Sequence, residues 1–110
     1  MTLSTHVLDT VHGVPARGVK LALSKGNVTR YEGETNDDGR CPGLGDLQIE
    51  PGLYSLTFTV AAYFRGKGIM LSDPPFLDSV TIDFGVADDN AHYHVPLLVS
   101  PFSYSTYRGS

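Results

Sequence analysis

HYHVPLLVSPFSYSTYRGS, residues 92–110, is the stretch whose reading decides the fold. Successive side chains of a strand point to opposite faces of its sheet. His92, His94, Pro96 and Leu98 therefore share one side, and Tyr93, Val95, Leu97 and Val99 share the other. The second set is an ordinary core face. The first places two titratable rings on a surface that is otherwise apolar. Such a sheet needs cover on both faces, and a chain of 110 residues must take part of that cover from another subunit. The place to look for chemistry is a face buried by assembly.

Outward from that segment, helical periodicity is nearly absent, and short alternating runs recur between turn signals. The expected strands are Leu3–Thr10, Gly18–Lys25, a polar edge strand Val28–Thr35, Leu53–Val60, Leu77–Val86, Ala91–Val99 and Phe102–Gly109. Arg40–Cys41 reads as a further, very short strand, Ala61–Lys67 as the only helical turn, and Pro42–Gly52 as connection. Leu3, Thr5 and Val7 face inward and Ser4, His6 and Leu8 outward; Tyr54, Leu56, Phe58 and Val60 alternate with Ser55, Thr57 and Thr59. Seven to eight strands without an internal repeat predict one domain, residues 1–110, built as a two-sheet Greek-key sandwich with one short helix.

Composition narrows the partners. A formal charge of −4 without a basic block argues against nucleic acid. The apolar runs are shorter than the ~20 residues of a membrane-spanning helix. Cys41 is the only cysteine, so the fold does not rest on an internal disulfide. Met1–Thr5 lack the basic region of a secretion signal, which predicts a cytoplasmic protein, or a periplasmic one if a leader precedes Met1.

Taken singly, the polar residues are ambiguous. His6 and His94 read either as half-buried rings satisfied by backbone carbonyls or as functional groups. His92 and His94 point the same way, but two ligands without a nearby Asp, Glu or Cys make a poor metal site. His12 lies in a turn and is expected to be solvated; Arg40 is expected beside Asp37 or Asp38; Cys41 reads as an inert thiol. Ser103, Ser105 and Tyr107 share a face that can floor a pocket. The acidic residues fall on turns and edges, and no Gly-x-Ser-x-Gly elbow is present.

Read together, the segments resemble one family along nearly the whole chain. Leu3-Ser4-Thr5-His6-Val7-Leu8-Asp9 with Gly13-Val14-Pro15-Ala16 is similar to the opening signature of the transthyretin-like proteins. Thr35-Asn36-Asp37-Asp38-Gly39-Arg40 resembles their central motif, and His92 to Thr106 their last two strands. The terminal Tyr107-Arg108-Gly109-Ser110 resembles the enzymatic branch of the family rather than its hormone carriers.

That resemblance implies a transthyretin-like sandwich assembled as a homotetramer, a dimer of dimers with a central channel. It implies hydrolysis of a small molecule, 5-hydroxyisourate, to 2-oxo-4-hydroxy-4-carboxy-5-ureidoimidazoline during urate degradation. His6, Arg40 and His94 are implied as catalytic, and His6, Arg40, Tyr107 and Ser110 as substrate-binding, with neither metal nor organic cofactor. Arg108 is expected to anchor the tail by an ion pair. The rival reading is a carrier that binds a hydrophobic phenolic ligand in the same channel.

Overall fold

A computed structural model describes residues 2–88 and 90–109. In chain order the strands are β1 (Thr2–Ser4), β2 (Val7–Asp9), β3 (Val14–Pro15), β4 (Lys20–Lys25), β5 (Val28–Glu34), β6 (Gly52–Thr59), β7 (Ser79–Val86), β8 (His92–His94), β9 (Leu97–Val99) and β10 (Tyr104–Ser105). Helix α1 (Val60–Gly66) follows β6, and one short 3-10 helix spans Pro42–Asp46, within the expected connection.

Two sheets face each other. One has the order β5-β4-β6-β7, with β5 at the edge as its polarity predicts. The other has the order β10-β9-β2-β3, and a parallel pair, β1 with β8, continues it. Thr2 lies beside His92 and Val7 beside Leu97, so one register runs through both parallel pairings. Val95 N–H donates to Ser4 O and Leu97 N–H to His6 O across the gap. Strands β1–β2 and β8–β9 are thus two long strands, each interrupted once. The expected single strands Leu3–Thr10 and Ala91–Val99 are corrected to these pairs. Pro96 is the cause, since it has no N–H to add to the ladder.

The same proline shortens the tail. A strand expected over Phe102–Gly109 is reduced to β10 and one bridge between Gly109 and His94. Phe102 and Ser103 instead direct their N–H groups to Ser100 Oγ, and Thr106 Oγ1 donates to Pro96 O at 2.6 Å. Arg108 also departs from expectation, because no described carboxylate pairs with it. Its guanidinium sits 4.2 Å from the centre of the Tyr93 ring, a cation–π contact.

Leu3, Val7, Leu97 and Val99 of one sheet meet Leu23, Leu56, Phe58 and Val80 of the other in a single buried cluster. Each such side chain contributes roughly 1.5–3 kcal/mol by leaving water. Helix α1 adds Val60, Tyr63 and Phe64 to that cluster. It is tied to β2 by a buried polar contact, Tyr63 OH donating to Asp9 Oδ2 at 2.8 Å.

Asp9 corrects two expectations. It is an acidic residue that lies neither on a turn nor on an edge but in the core, 1% exposed. His12, expected to be merely solvated, is exposed in its turn yet has Nδ1 2.6 Å from Asp9 Oδ2. Asp9 Oδ1 accepts the N–H groups of Val11 and His12. Burial pushes the Asp9 carboxyl up; the bonds from His12 and Tyr63 outweigh it and hold the group below its ordinary value.

The uncovered face of the second sheet, with its β1–β8 continuation, carries Ser4, His6, Leu8, His94 and Leu98, all half-buried, with His92 exposed at one end. Alternation and burial agree here: every second residue from Leu3 to Asp9 is buried and its neighbours are not. This face positions the site.

Candidate active site

His6 stands on the long strand β1–β2, in the middle of that face. Arg40 is brought next to it by an isolated antiparallel bridge, His6 with Arg40. The preceding turn explains how. Asn36 Oδ1 accepts the N–H groups of Asp38 and Arg40, both at 3.0 Å, which closes the loop locally. Gly39 has φ +73°, and a Cβ there would lie 2.4 Å from Val7 O. Only glycine lets the loop press so closely on the strand, where Val7 N–H donates to Gly39 O at 2.8 Å. The ion pair expected between Arg40 and Asp37 or Asp38 is not formed; Asp37 pairs with Arg17 at 2.9 Å, both well exposed. Arg40 is left facing outward and exposed.

His94 enters from the neighbouring strand, beside Ser4. Its Nδ1 is 2.7 Å from Ser4 Oγ. Burial pushes its imidazole below the ordinary histidine value, and the positive fields of Arg40, His92 and His6 push the same way. Arg40 is thus paired with His6, and both lie near enough to His94 for their charges to act on it. His92 lies alongside, its ring tilted only 12° from that of His94 with centroids 6.5 Å apart. Its Nε2 is 3.1 Å from the same Ser4 Oγ, and its Nδ1 contacts Thr2 Oγ1. A concavity of about 250 Å³ lies beside the cluster, lined by Thr2, Ser4, Arg40, Cys41, Pro42 and His92 among others, and neither His6 nor His94 lines it.

The tail is split between two places. Tyr107, 60% exposed, borders a cavity of about 230 Å³ with Phe84, Tyr93 and Val95, and neither His6 nor His94 lines that cavity. Gly109, by contrast, lies against His94: its N–H donates to His94 O at 2.8 Å, and a Cβ there would sit 2.5 Å from the ring carbon Cδ2. Ser110 lies outside the described residues.

Cys41, expected to be an inert thiol, is buried beside the concavity that Arg40 and His92 line, with Sγ 3.5 Å from Tyr31 OH. Among the described residues no three His, Cys, Asp or Glu side chains form a ligand cluster. Sequence reasoning missed Ser4 and Gly109. Ser4 had a signal, since it shares the outward face with His6, but its place between two histidines depends on strand register.

An arrangement of this kind can bind and hydrolyse a small polar molecule. Neutral imidazole accepts a proton near neutrality, and a guanidinium offsets negative charge on a carbonyl oxygen. Fold and patch together define a two-sheet sandwich whose uncovered sheet face carries an imidazole–guanidinium cluster.

The chain belongs to the HIUase/Transthyretin family, whose sequence profile matches residues 3–109. It is 53% identical over 114 residues to the 5-hydroxyisourate hydrolase of Ralstonia nicotianae, covering 98% of this chain and 97% of that relative. The solved structure of Klebsiella pneumoniae 5-hydroxyisourate hydrolase superposes with a TM-score of 0.86 at 37% identity, over 99% of this chain and 93% of the other. Sea bream transthyretin in complex with thyroxine superposes with a TM-score of 0.87 at 29% identity, over 99% of this chain and 95% of the other. The sandwich has the transthyretin-like architecture anticipated from the sequence.

Proposed function

We propose that this chain is a 5-hydroxyisourate hydrolase that opens the six-membered ring of its substrate in a channel between the subunits of a homotetramer. The observation that carries the reading is the convergence of His6, Arg40 and His94 on the uncovered sheet face. The relative from Ralstonia and the structure from Klebsiella bear that activity in their names.

Ring opening needs an activated water and a stabilised oxyanion. His94, held neutral by its surroundings, is the base that takes the water proton; His6 orients that water from the adjoining strand. The hydroxide adds to the ring carbonyl, the C–N bond breaks, and the proton returns to the departing nitrogen. Arg40 binds the carbonyl edge through its planar fork and offsets the developing charge, a role typically worth about 3–4 kcal/mol per well-placed donor. Tyr107 and Ser110 contribute substrate contacts from the tail once subunits enclose the channel. No step calls on a metal or an organic cofactor.

The carrier reading is weaker. His6, Arg40 and His94 give the uncovered face a polar centre, which suits a small heterocycle with several carbonyls better than a hydrophobic phenol.

Absorbance decay of freshly generated 5-hydroxyisourate tests the proposal. Wild-type protein accelerates it, and His6→Ala or His94→Asn abolishes most of the acceleration, a loss of ~10²–10⁴-fold, while the assembly stays intact. Full activity in either variant would reject the assigned roles.

A further inference from the structure

The roles given to His6, Arg40 and His94 leave Thr2, Ser4 and His92 without a task, yet these three form a continuous polar chain on the same face. Strands β1 and β8 run parallel with Thr2 beside His92 and Ser4 beside His94. The pairing places hydroxyls and imidazoles in alternation. Ser4 Oγ lies 2.7 Å from His94 Nδ1 and 3.1 Å from His92 Nε2, and Thr2 Oγ1 meets His92 Nδ1.

We infer that Ser4, His92 and Thr2 form a proton relay behind His94, with Ser4 as its positioning residue; this rests on the hydrolytic reading above. A serine hydroxyl has one proton to give and lone pairs to accept another. In one arrangement His94 Nδ1–H donates to Ser4, Ser4 donates to His92 Nε2, and His92 Nδ1–H donates to Thr2. This leaves a lone pair on His94 Nε2, the form a base requires. The reverse arrangement puts a proton on Nε2 and removes the base. Ser4 joins the two.

The proton count closes. Water gives a proton to His94 Nε2 as its oxygen bonds to the substrate carbonyl carbon. His94 Nδ1–H passes to Ser4 Oγ while the proton of Ser4 passes to His92 Nε2. His94 ends neutral with its proton on Nε2, and His92 ends as an imidazolium still bonded to Thr2. When the C–N bond breaks, His94 Nε2–H protonates the leaving nitrogen and each shift reverses. One water is consumed and the protein is restored.

Position explains why this route is favourable. His94 is half-buried and faces the charged or chargeable groups Arg40, His6 and His92. A positive charge retained there is poorly solvated and repelled. His92 is exposed at the end of the strand. Moving the charge outward by one hydroxyl places it on a ring that water can solvate.

The test uses purified wild-type protein, Ser4→Ala, Ser4→Thr, His92→Asn and the double variant Ser4→Ala with His92→Asn, assayed with freshly generated 5-hydroxyisourate. Ser4→Ala should lower kcat at least ~10-fold, part of the ~10²–10⁴ that a positioned base supplies. KM should move less than about 2-fold, and Ser4→Thr, which keeps the hydroxyl, should recover kcat to within about 3-fold of wild type. His92→Asn should match Ser4→Ala, and the double variant should lose no more than either single one, because both cut one relay. Nitrogen-15 NMR of the imidazoles gives a readout independent of turnover: His94 carries Nδ1–H in wild type and shifts toward Nε2–H in Ser4→Ala. His92→Asn, altered at an exposed ring, carries the kinetic test alone if Ser4→Ala does not assemble. A wild-type protein that leaves the substrate decay unchanged sinks the hydrolytic reading. An active wild type whose Ser4→Ala and His92→Asn variants keep full kcat, or whose losses add, sinks the relay and leaves that reading standing.

Discussion

His94 shows how a single ring is tuned for proton transfer by what surrounds it. Burial lowers its affinity for a proton, and Arg40, His92 and His6 lower it further. A base is useful only while neutral, and a depressed value extends the neutral range toward acid. The pH profile of kcat/KM should therefore be flat through neutrality and fall only below the ordinary histidine value of ~6.5. Arg40→Gln removes one of the repelling charges, so its acid limb should move up toward ~6.5, together with a rate loss of ~10²–10³-fold from the missing oxyanion donor. An unmoved limb would show that Arg40 does not tune His94. Gly109 supplies the converse case, a residue that matters by lacking atoms. A Cβ there would overlap the His94 ring at 2.5 Å, so Gly109→Ala should displace the imidazole and cost up to ~10²-fold in kcat without unfolding the protein. Stopped-flow kinetics paired with a thermal melt would separate these effects. The shared face of His6 and His94 was legible in the sequence through alternation, whereas Arg40 was singled out only by family resemblance. Ser4 and Gly109 were not legible, because a serine or glycine in a strand carries no chemistry until register shows what lies beside it.

Among the elements, the contact joining β2 to α1 has the clearest energetic content. Asp9 is a core carboxylate held by Tyr63 from the helix and by His12 from the following turn. Its value lies below the ordinary carboxylate range, so the folded state binds the proton less readily than the unfolded chain does. Stability from this group is therefore complete above the unfolded value of ~3.9 and is lost as pH falls through the lower folded value. Asp9→Asn should cost about 1.5–3 kcal/mol at neutral pH, the range for hydrogen bonds to a charged group, and the gap to wild type should close below pH ~4. Denaturant melts across that range measure it; a gap independent of pH would show that the carboxylate's charge contributes nothing. Sequence reading found most elements because their alternation is strong, as in β6, where Tyr54, Leu56 and Phe58 are buried and Ser55, Thr57 and Thr59 are not. It overran β8–β9 and the tail, since Pro96 withholds one donor but its effect on both neighbouring strands is visible only when they are paired. It also placed the acids at the surface, because nothing near Asp9 in the chain announces Tyr63, which reaches it from α1.

For the whole molecule, the decisive fact is a sheet with one face in the core and the other uncovered. Leu8 and Leu98 flank the histidines on that face and are half-buried within one subunit. Burying them further favours association, and enclosing His6, Arg40 and His94 strengthens every electrostatic interaction among them by excluding water. The proposed tetramer should accordingly be the active form. Sedimentation and specific activity measured over a dilution series should fall together; constant activity in the dissociated protein would separate catalysis from assembly. A bulky extension after Ser110 should lower turnover by obstructing the channel, whereas unchanged kinetics would place the tail outside it.

The amino-acid sequence by itself determined the class of fold, the inward set of side chains and the types of residue available for chemistry, because alternation and turn chemistry are local properties of the chain. Only the tertiary structure decided which of those residues meet. The bridge from His6 to Arg40, the seating of Ser4 between two imidazoles, the pressing of Gly109 on His94 and the burial of Asp9 all join segments distant along the chain or set by register. Pairing partners in a sheet are selected by packing of the entire core, and that selection is not encoded in any one strand.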